Sequence, residues 1–329
     1  MPGYDWMLEY EEVRIMATGT GAGSVAERFR GLIAPIPAVF DGKGEVDVAT
    51  QKQLTDWYIE RGVDGFFVLG SQGQGPACRI DQRKAIAEAV LGQVNGRIPV
   101  VIQVGAVDPY TSMELAAHAR QAGADAIGMV GPYYYSDRAE WELIEQHKMV
   151  NEAGKLPMFL YNNPEYSGYP TPPAMMVKLR EEIPGVFGAK LAAGTIDQAV
   201  EYLDTLGKDF NIFIPVNQII EGMPKGVCGS IAAGVPVTVP EVGVALMAAI
   251  RSGDDARAQA LNARMSEHSK RISKLREYGR STTRVGLQLR GLPIKEYPRW
   301  PTREIPAEDR DLMDRSMKQL LEEIAAVPA

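Results

Sequence analysis

Cysteine and histidine are scarce in this chain: Cys78 and Cys228 of the first, His118, His147 and His268 of the second, in 329 residues. Two cysteines make no disulfide framework, which points to a reducing, cytoplasmic setting. Each histidine lies in a charged helical stretch, so a zinc or non-haem iron site built from imidazoles is not expected. Glu114 and His118, at i,i+4, read as neighbours on a helix surface. Positive charge is not in excess either. The formal net charge is −7, which gives no electrostatic reason to expect nucleic acid as a partner. The basic stretch 270–284 alternates with apolar residues and Glu277 and reads as a solvated helix face. Long apolar runs are missing as well: the longest, 231–250, is interrupted by Pro236, Pro240 and Glu241, which excludes a membrane span. Nothing at the N-terminus has the basic-then-apolar shape of a signal peptide. No G-x-S-x-G elbow surrounds Ser230, and neither cysteine has a plausible histidine companion.

What is present is a globular composition, 45% hydrophobic and 23% charged, in a chain long enough for one large core or two modest ones. Residues 1–29 stand apart. Residues 1–14 are acidic and aromatic, and 17–24 are almost all small, so together they read as an N-terminal arm, flexible or packed on a neighbouring copy. Its glycines follow no strand and make no dinucleotide fingerprint. From Gly31 onward, apolar runs at 32–40, 65–70, 100–105, 126–131, 158–162, 186–191, 212–216 and 227–232 alternate with helical patterns at 50–61, 81–94, 112–122, 139–152, 172–182 and 196–206. The runs show little alternation, as strands covered on both faces do. The expected fold class is α/β, a (β/α)8 TIM barrel over 30–235, with a last barrel helix and additional C-terminal helices over 236–329; an open doubly wound sheet is the competing arrangement.

In such a barrel the chemistry sits at the C-terminal ends of the strands. The sixth run delivers Lys190, and a buried amine is a nucleophile toward carbonyl carbon. The second run ends in Gly70-Ser71-Gln72-Gly73-Gln74-Gly75, a turn whose backbone N–H groups can hold a carboxylate or phosphate. The fourth ends in Pro132-Tyr133-Tyr134-Tyr135 and the fifth in Tyr161-Asn162-Asn163-Pro164. A phenol facing a lysine can relay protons for a Schiff base.

Taken in this order and spacing, Gly70-Ser71 with Gly73, Pro132-Tyr133-Tyr134, Tyr161-Asn162 with Pro164, and Gly188-Ala189-Lys190 resemble the dihydrodipicolinate synthase and N-acetylneuraminate lyase family over about 30–301. The resemblance implies that Lys190 forms an imine with a 2-oxo acid, that Tyr161 is the acid/base, and that Ser71 links it to Tyr134, which in the family reaches across a dimer contact. It implies a homotetramer, a dimer of dimers; no cofactor or metal is expected. The departures fall where substrate is read. Gln72 replaces a second hydroxyl and Gln74 a glutamate. Tyr166 and Ser167 stand where the synthase branch has an arginine, Leu191 stands where many members have glutamate, and Asn217 lies in place of an acidic turn. Gln72, Gly73, Tyr166, Leu191, Asn217 and Ser230 are therefore the candidate substrate contacts. The expected function is a lyase acting on a 2-oxo acid, by aldol cleavage or condensation with pyruvate or by dehydration of a 2-keto-3-deoxy sugar acid. A synthase proper, or a catalytically silent binding protein, are the alternatives.

Overall fold

Eight short strands run parallel and hydrogen-bond in chain order, the eighth closing on the first, in the computed structural model, which describes residues 5–18, 23–183, 185–295, 299 and 301–327. They are β1 (Gly31–Ala34), β2 (Gly65–Val68), β3 (Val100–Gln103), β4 (Ala126–Val130), β5 (Met158–Asn162), β6 (Val186–Leu191), β7 (Asn211–Phe213) and β8 (Gly229–Ile231). Two helices precede the barrel, α1 (Asp5–Thr18) and α2 (Val25–Arg28). Between the strands lie α3 (Val48–Glu60), α4 (Ile80–Val94), α5 (Pro109–Gln121), α6 (Glu140–Gly154), α7 (Pro164–Ser167), α8 (Pro173–Glu182), α9 (Ile196–Leu206) and α10 (Ile219–Gly222). After β8 come α11 (Val235–Thr238), α12 (Pro240–Ser252), α13 (Asp255–Arg271), α14 (Ser281–Leu289) and α15 (Ala307–Ala325). The fold is the (β/α)8 barrel with additional C-terminal helices. The first strand stops at Ala34, short of the expected 32–40, because Pro35 and Pro37 have no N–H to give a ladder.

Both faces of the barrel wall are buried. Ile33, Phe67, Val101, Phe159, Phe187 and Phe213 fill the interior, and the residues alternating with them pack against the helix layer. Phe29, fully buried, closes the N-terminal end of the barrel. Its ring lies 5.4 Å from Phe159, 6.3 Å from Phe187 and 5.3 Å from Phe213, mostly edge to face. Asn211 holds that plug in place by donating from Nδ2 to the carbonyls of Ala26 and Phe29, at 2.7 and 3.0 Å.

The N-terminal segment read as an arm contains α1, whose Val13 and Ala17 are buried in the chain's own barrel. A Cβ on Gly185, at the mouth of β6, would come within 2.6 Å of Val13 Cγ1, so the contact is close. Residues 19–22 of the small-residue run lie outside the described residues. The solvated-face reading of 270–284 fails at its C-terminal end. There α14 lies beside the loop after β2, and Arg284 is only 3% exposed. Its burial is a tertiary event that local charge alternation cannot report.

Phe29→Ala removes the plug and leaves a cavity against three phenylalanines. It is expected to cost about 3–5 kcal/mol in urea unfolding, and a loss below about 1 kcal/mol would contradict the plug.

Candidate active site

Lys190 enters the barrel because β6 contains one irregularity of register. Met158 pairs with Val186 but the next residue, Phe159, pairs with Gly188, so Phe187 is skipped. Phe187 points inward and Ala189 outward, which leaves Lys190 facing inward one layer above the Phe187 ring. Gly188 permits this shift, since a Cβ there would sit 2.6 Å from the Asn211 carbonyl oxygen. From this point the register is regular, and Tyr161 of β5 pairs directly with Lys190. Side chains paired across neighbouring strands share a face, and the Lys190 ammonium lies 4.5 Å from the centroid of the Tyr161 ring.

The Tyr161 hydroxyl is held from two further sides. It lies 3.4 Å from Ser71 Oγ and accepts a hydrogen bond from Asn163 Nδ2 at 3.1 Å. Burial works to raise this phenol, but the Lys190 charge and the hydrogen bonds from Ser71, Asn163 and Lys190 outweigh it, and it sits below the ordinary tyrosine value. A phenol so placed is readier to give up its proton and serve as a base.

Ser71 belongs to the glycine-rich loop after β2, which is folded tightly. A Cβ on Gly75 would lie 2.0 Å from the Leu69 carbonyl oxygen, so only glycine fits, and buried Gln74 adopts a left-handed conformation (φ 57°) while its Oε1 accepts the Arg299 N–H at 2.7 Å. The C-terminal helices brace the loop. Arg280, at the head of α14, donates from Nη1 to the Ser71 carbonyl at 2.6 Å, and Gln72 donates from Nε2 to Thr283 Oγ1 at 3.3 Å. Beside the loop lies a cavity of about 420 Å³ lined by Ser71, Gln103, Tyr133, Tyr161, Tyr166 and Arg280, among others.

The structure thus brings Lys190, Tyr161 and Ser71 together, with Gln72 and Gly73 in the same loop and Tyr166 on the cavity rim. It does not bring in Tyr134, which is 83% exposed, has φ 81° and stacks edge to face on Tyr135 at 5.0 Å. Two expected contacts are corrected by strand periodicity. Leu191 follows an inward residue and so faces out, lining a separate cavity with Thr195 and Tyr202 near α9. Ser230 pairs with the outward Leu32 and is fully buried away from the site. Asn217 is exposed on the short turn of helix after β7.

Cavity residues outside the expected site set include Gln103, Tyr133, Glu165 and Arg280. Gln103 ends the apolar run Val100–Gln103, and a polar residue at a strand's C-terminal end was the available signal. Tyr133, rather than Tyr134, is the phenol that lines the chain's own cavity; burial raises its pKa, only partly opposed by the Arg83 charge. Arg280 carries no local signal, because its position depends on where α14 lies.

The site thus joins a lysine and a phenol in register at the mouth of a closed parallel barrel, beside a glycine-rich loop. Sequence comparison is more specific. The model of the Dihydrodipicolinate synthetase family matches residues 28–320, and the chain belongs to this family of lyases. It is 30% identical over 289 residues to the protein named "Probable 2-dehydro-3-deoxy-D-pentonate aldolase YjhH" of Escherichia coli K12, covering 87% of this chain and 95% of that one. It is 31% identical over 239 residues to 4-hydroxy-tetrahydrodipicolinate synthase of Bartonella bacilliformis, covering 72% and 80%. Among solved structures, YagE of E. coli K12 in complex with pyruvate superposes with a TM-score of 0.81 at 27% identity, covering 89% of this chain and 99% of that one.

Replacing Lys190 with methionine removes the charge that holds the Tyr161 phenol down while leaving its burial. Ultraviolet difference titration against Tyr161→Phe is expected to show that tyrosine ionising at higher pH in K190M than in the wild type; an unchanged low titration would contradict the assigned cause.

Proposed function

We propose that this chain is a cytoplasmic aldolase or dehydratase for a hydroxylated 2-oxo acid, a 2-keto-3-deoxy sugar acid in class, and that Lys190 carries the substrate as a Schiff base. The observation that carries this reading is the register pairing of Lys190 with Tyr161, with Ser71 at the phenol oxygen. The neutral amine adds to C2, and the carbinolamine loses water to leave an iminium. That iminium is an electron sink for C3. In cleavage, Tyr161 takes the proton of the C4 hydroxyl, the C3–C4 bond breaks, an aldehyde departs and C3 becomes an enamine. Tyr161 returns the proton to C3, and water releases pyruvate from the lysine. In dehydration, a proton leaves C3 and the C4 hydroxyl departs as water. The aldolase names of relatives favour cleavage; the residues serve either outcome.

The mouth supports a polyhydroxy tail over a second carboxylate. Tyr166 stands half-exposed on the rim, and Ser167, buried, spends its hydroxyl on the Asn163 and Tyr169 carbonyls. Tyr166 and Asn217 are the candidates for reading the tail. Gln72 and Gln74 keep the loop neutral. Two free cysteines suit a reducing compartment, and among the described residues no helix is long and apolar enough to cross a membrane.

Tyr134 fits a role across a subunit contact in a homotetramer built as a dimer of dimers. It is a bulky residue with positive φ, a conformation costing on the order of 1–3 kcal/mol that persists where surroundings impose it. Its exposure leaves it free to enter the cavity of a second copy.

The direct test is borohydride reduction in the presence of pyruvate and a panel of 2-oxo acids, followed by peptide mass analysis. An adduct on Lys190 is expected. No adduct in folded protein across the panel removes the enzyme reading and favours a silent binding protein. Tyr134→Phe is expected to lower turnover by about 10²-fold or more, in the range of a lost proton-transfer group, with an unchanged melting temperature and sedimentation coefficient. A wild-type rate would rule out the relay.

A further inference from the structure

We infer that a cavity behind α14, separate from the one lined by Tyr161, is a second ligand site, that it takes a small hydroxylated carboxylic acid with an aliphatic body, and that its occupancy is felt at the loop carrying Ser71. The cavity measures about 200 Å³ and lies among α11, α13, α14, α15 and the short helical turn Ser273–Tyr278. Val235, Ile272, Leu275 and Met313 give it an apolar wall, and it shares no lining residue with the cavity at Tyr161. Here α14 is packed hard against its neighbours. A Cβ on Gly286 would lie 2.6 Å from Thr238 Cγ2 and 2.9 Å from Met313 Cε, so the space is bounded by a fixed wall.

The polar groups of the wall define the ligand. His268 is 1% exposed, and its Nδ1 donates to the Ser316 carbonyl at 3.2 Å, an oxygen that can only accept. Ser316 Oγ, 2.9 Å from the same nitrogen, accepts the Arg271 Nε–H at 3.1 Å and can share the Nδ1 proton. Burial holds the imidazole below its ordinary value, so the ring is neutral at neutral pH. Its Nε2 is then a bare acceptor, buried and without a hydrogen-bond partner among the described residues. A buried polar atom left so costs about 1–3 kcal/mol, and this one calls for a donor. The hydroxyls beside it ask for the same. Ser269 and Thr282 give their protons to the carbonyls of Met265 and Gly279, at 3.1 and 2.8 Å, and keep lone pairs that a ligand hydroxyl can meet. Arg276 is the charged residue of the lining, and its guanidinium has no hydrogen bond or ion pair among the described residues. It fits a carboxylate, whereas no lining carboxylate is there to receive an ammonium, which favours a hydroxy acid over an amino acid.

Thr283 joins the two cavities. It lines this one, and its Oγ1 accepts from Gln72 Nε2 of the loop after β2, at 3.3 Å. Arg280, at the head of the same helix, holds the Ser71 carbonyl. A ligand seated on Thr282 and Thr283 orders the first turn of α14 and, through it, the loop.

The probe is 2-hydroxy-3-methylbutanoate, which has no ketone to react with an amine, titrated calorimetrically into wild type, Arg276→Met and Lys190→Met. Arg276 is exposed, so R276M is expected to keep the wild-type melting temperature. One acid per chain is expected in wild type. Affinity should fall by about 10-fold or more in R276M, the size of a lost charged hydrogen bond, and stay within about twofold of wild type in K190M. The uncharged 2-hydroxy-3-methylbutanamide is expected to bind wild type and R276M alike. No binding to wild type, or equal affinity for the acid in R276M, overturns the site; loss of binding in K190M places the acid in the catalytic cavity and overturns it equally. Amide hydrogen exchange across residues 70–75 of wild type is expected to slow by about fivefold at saturating acid. Unchanged exchange with acid bound overturns the link to the loop. None of these outcomes depends on Lys190 forming an adduct.

Discussion

The pairing of Lys190 with Tyr161 across β6 and β5 is the constraint on which the site depends. Neither residue reaches its position through a flexible loop. Each is carried by a strand, and the skipped residue in β6 decides that the lysine faces in. A rigid wall holds the ammonium against the phenol ring, and the charge lowers the phenol's hold on its proton. Position and reactivity are therefore set by the same contact. Moving the register of β6 by one residue would send Lys190 into the helix layer and bring Leu191 inward in its place.

Two remote parts of the chain hold that wall steady. At the N-terminal end, Phe29 and the aromatic cluster above it fill the barrel, and Asn211 ties the preceding segment to β7. At the C-terminal end, α14 lies beside the loop after β2 and fixes Ser71 and Gln72 through Arg280 and Thr283. The helices after the barrel thus reach the catalytic mouth, and their residues belong to its electrostatics. Buried arginines without carboxylates are costly to hold, and Arg83 is answered in part by the Gln103 and Gly105 carbonyls.

The barrel was legible because its strands are apolar throughout and spaced by helical patterns, a signature that survives without any knowledge of contacts. Lys190, Tyr161 and Ser71 were legible for a related reason: residues at the C-terminal ends of such strands converge. What was not legible depends on the facing of single residues and on distant helices. Leu191 and Ser230 sit at the right ends of the right strands but on the outer face. Near β6 even the alternation is broken by a shift that only pairing reveals. Arg280 and Arg284, in a stretch that looked solvated, were hidden because sequence alternation says nothing about which part of a helix distant segments will cover. Val13 and Ala17 show the same limit at the other end of the chain.

The central claim is that Lys190, seated against Tyr161, forms the covalent bond with the substrate's C2. A crystal structure of the protein soaked in pyruvate tests it most directly. Continuous density from Lys190 Nζ to C2 is expected, with the Tyr161 hydroxyl within hydrogen-bonding distance of the adduct and the carboxylate on the Ser71–Gln72 loop. Pyruvate bound elsewhere, beside a free and well-ordered Lys190, would contradict it.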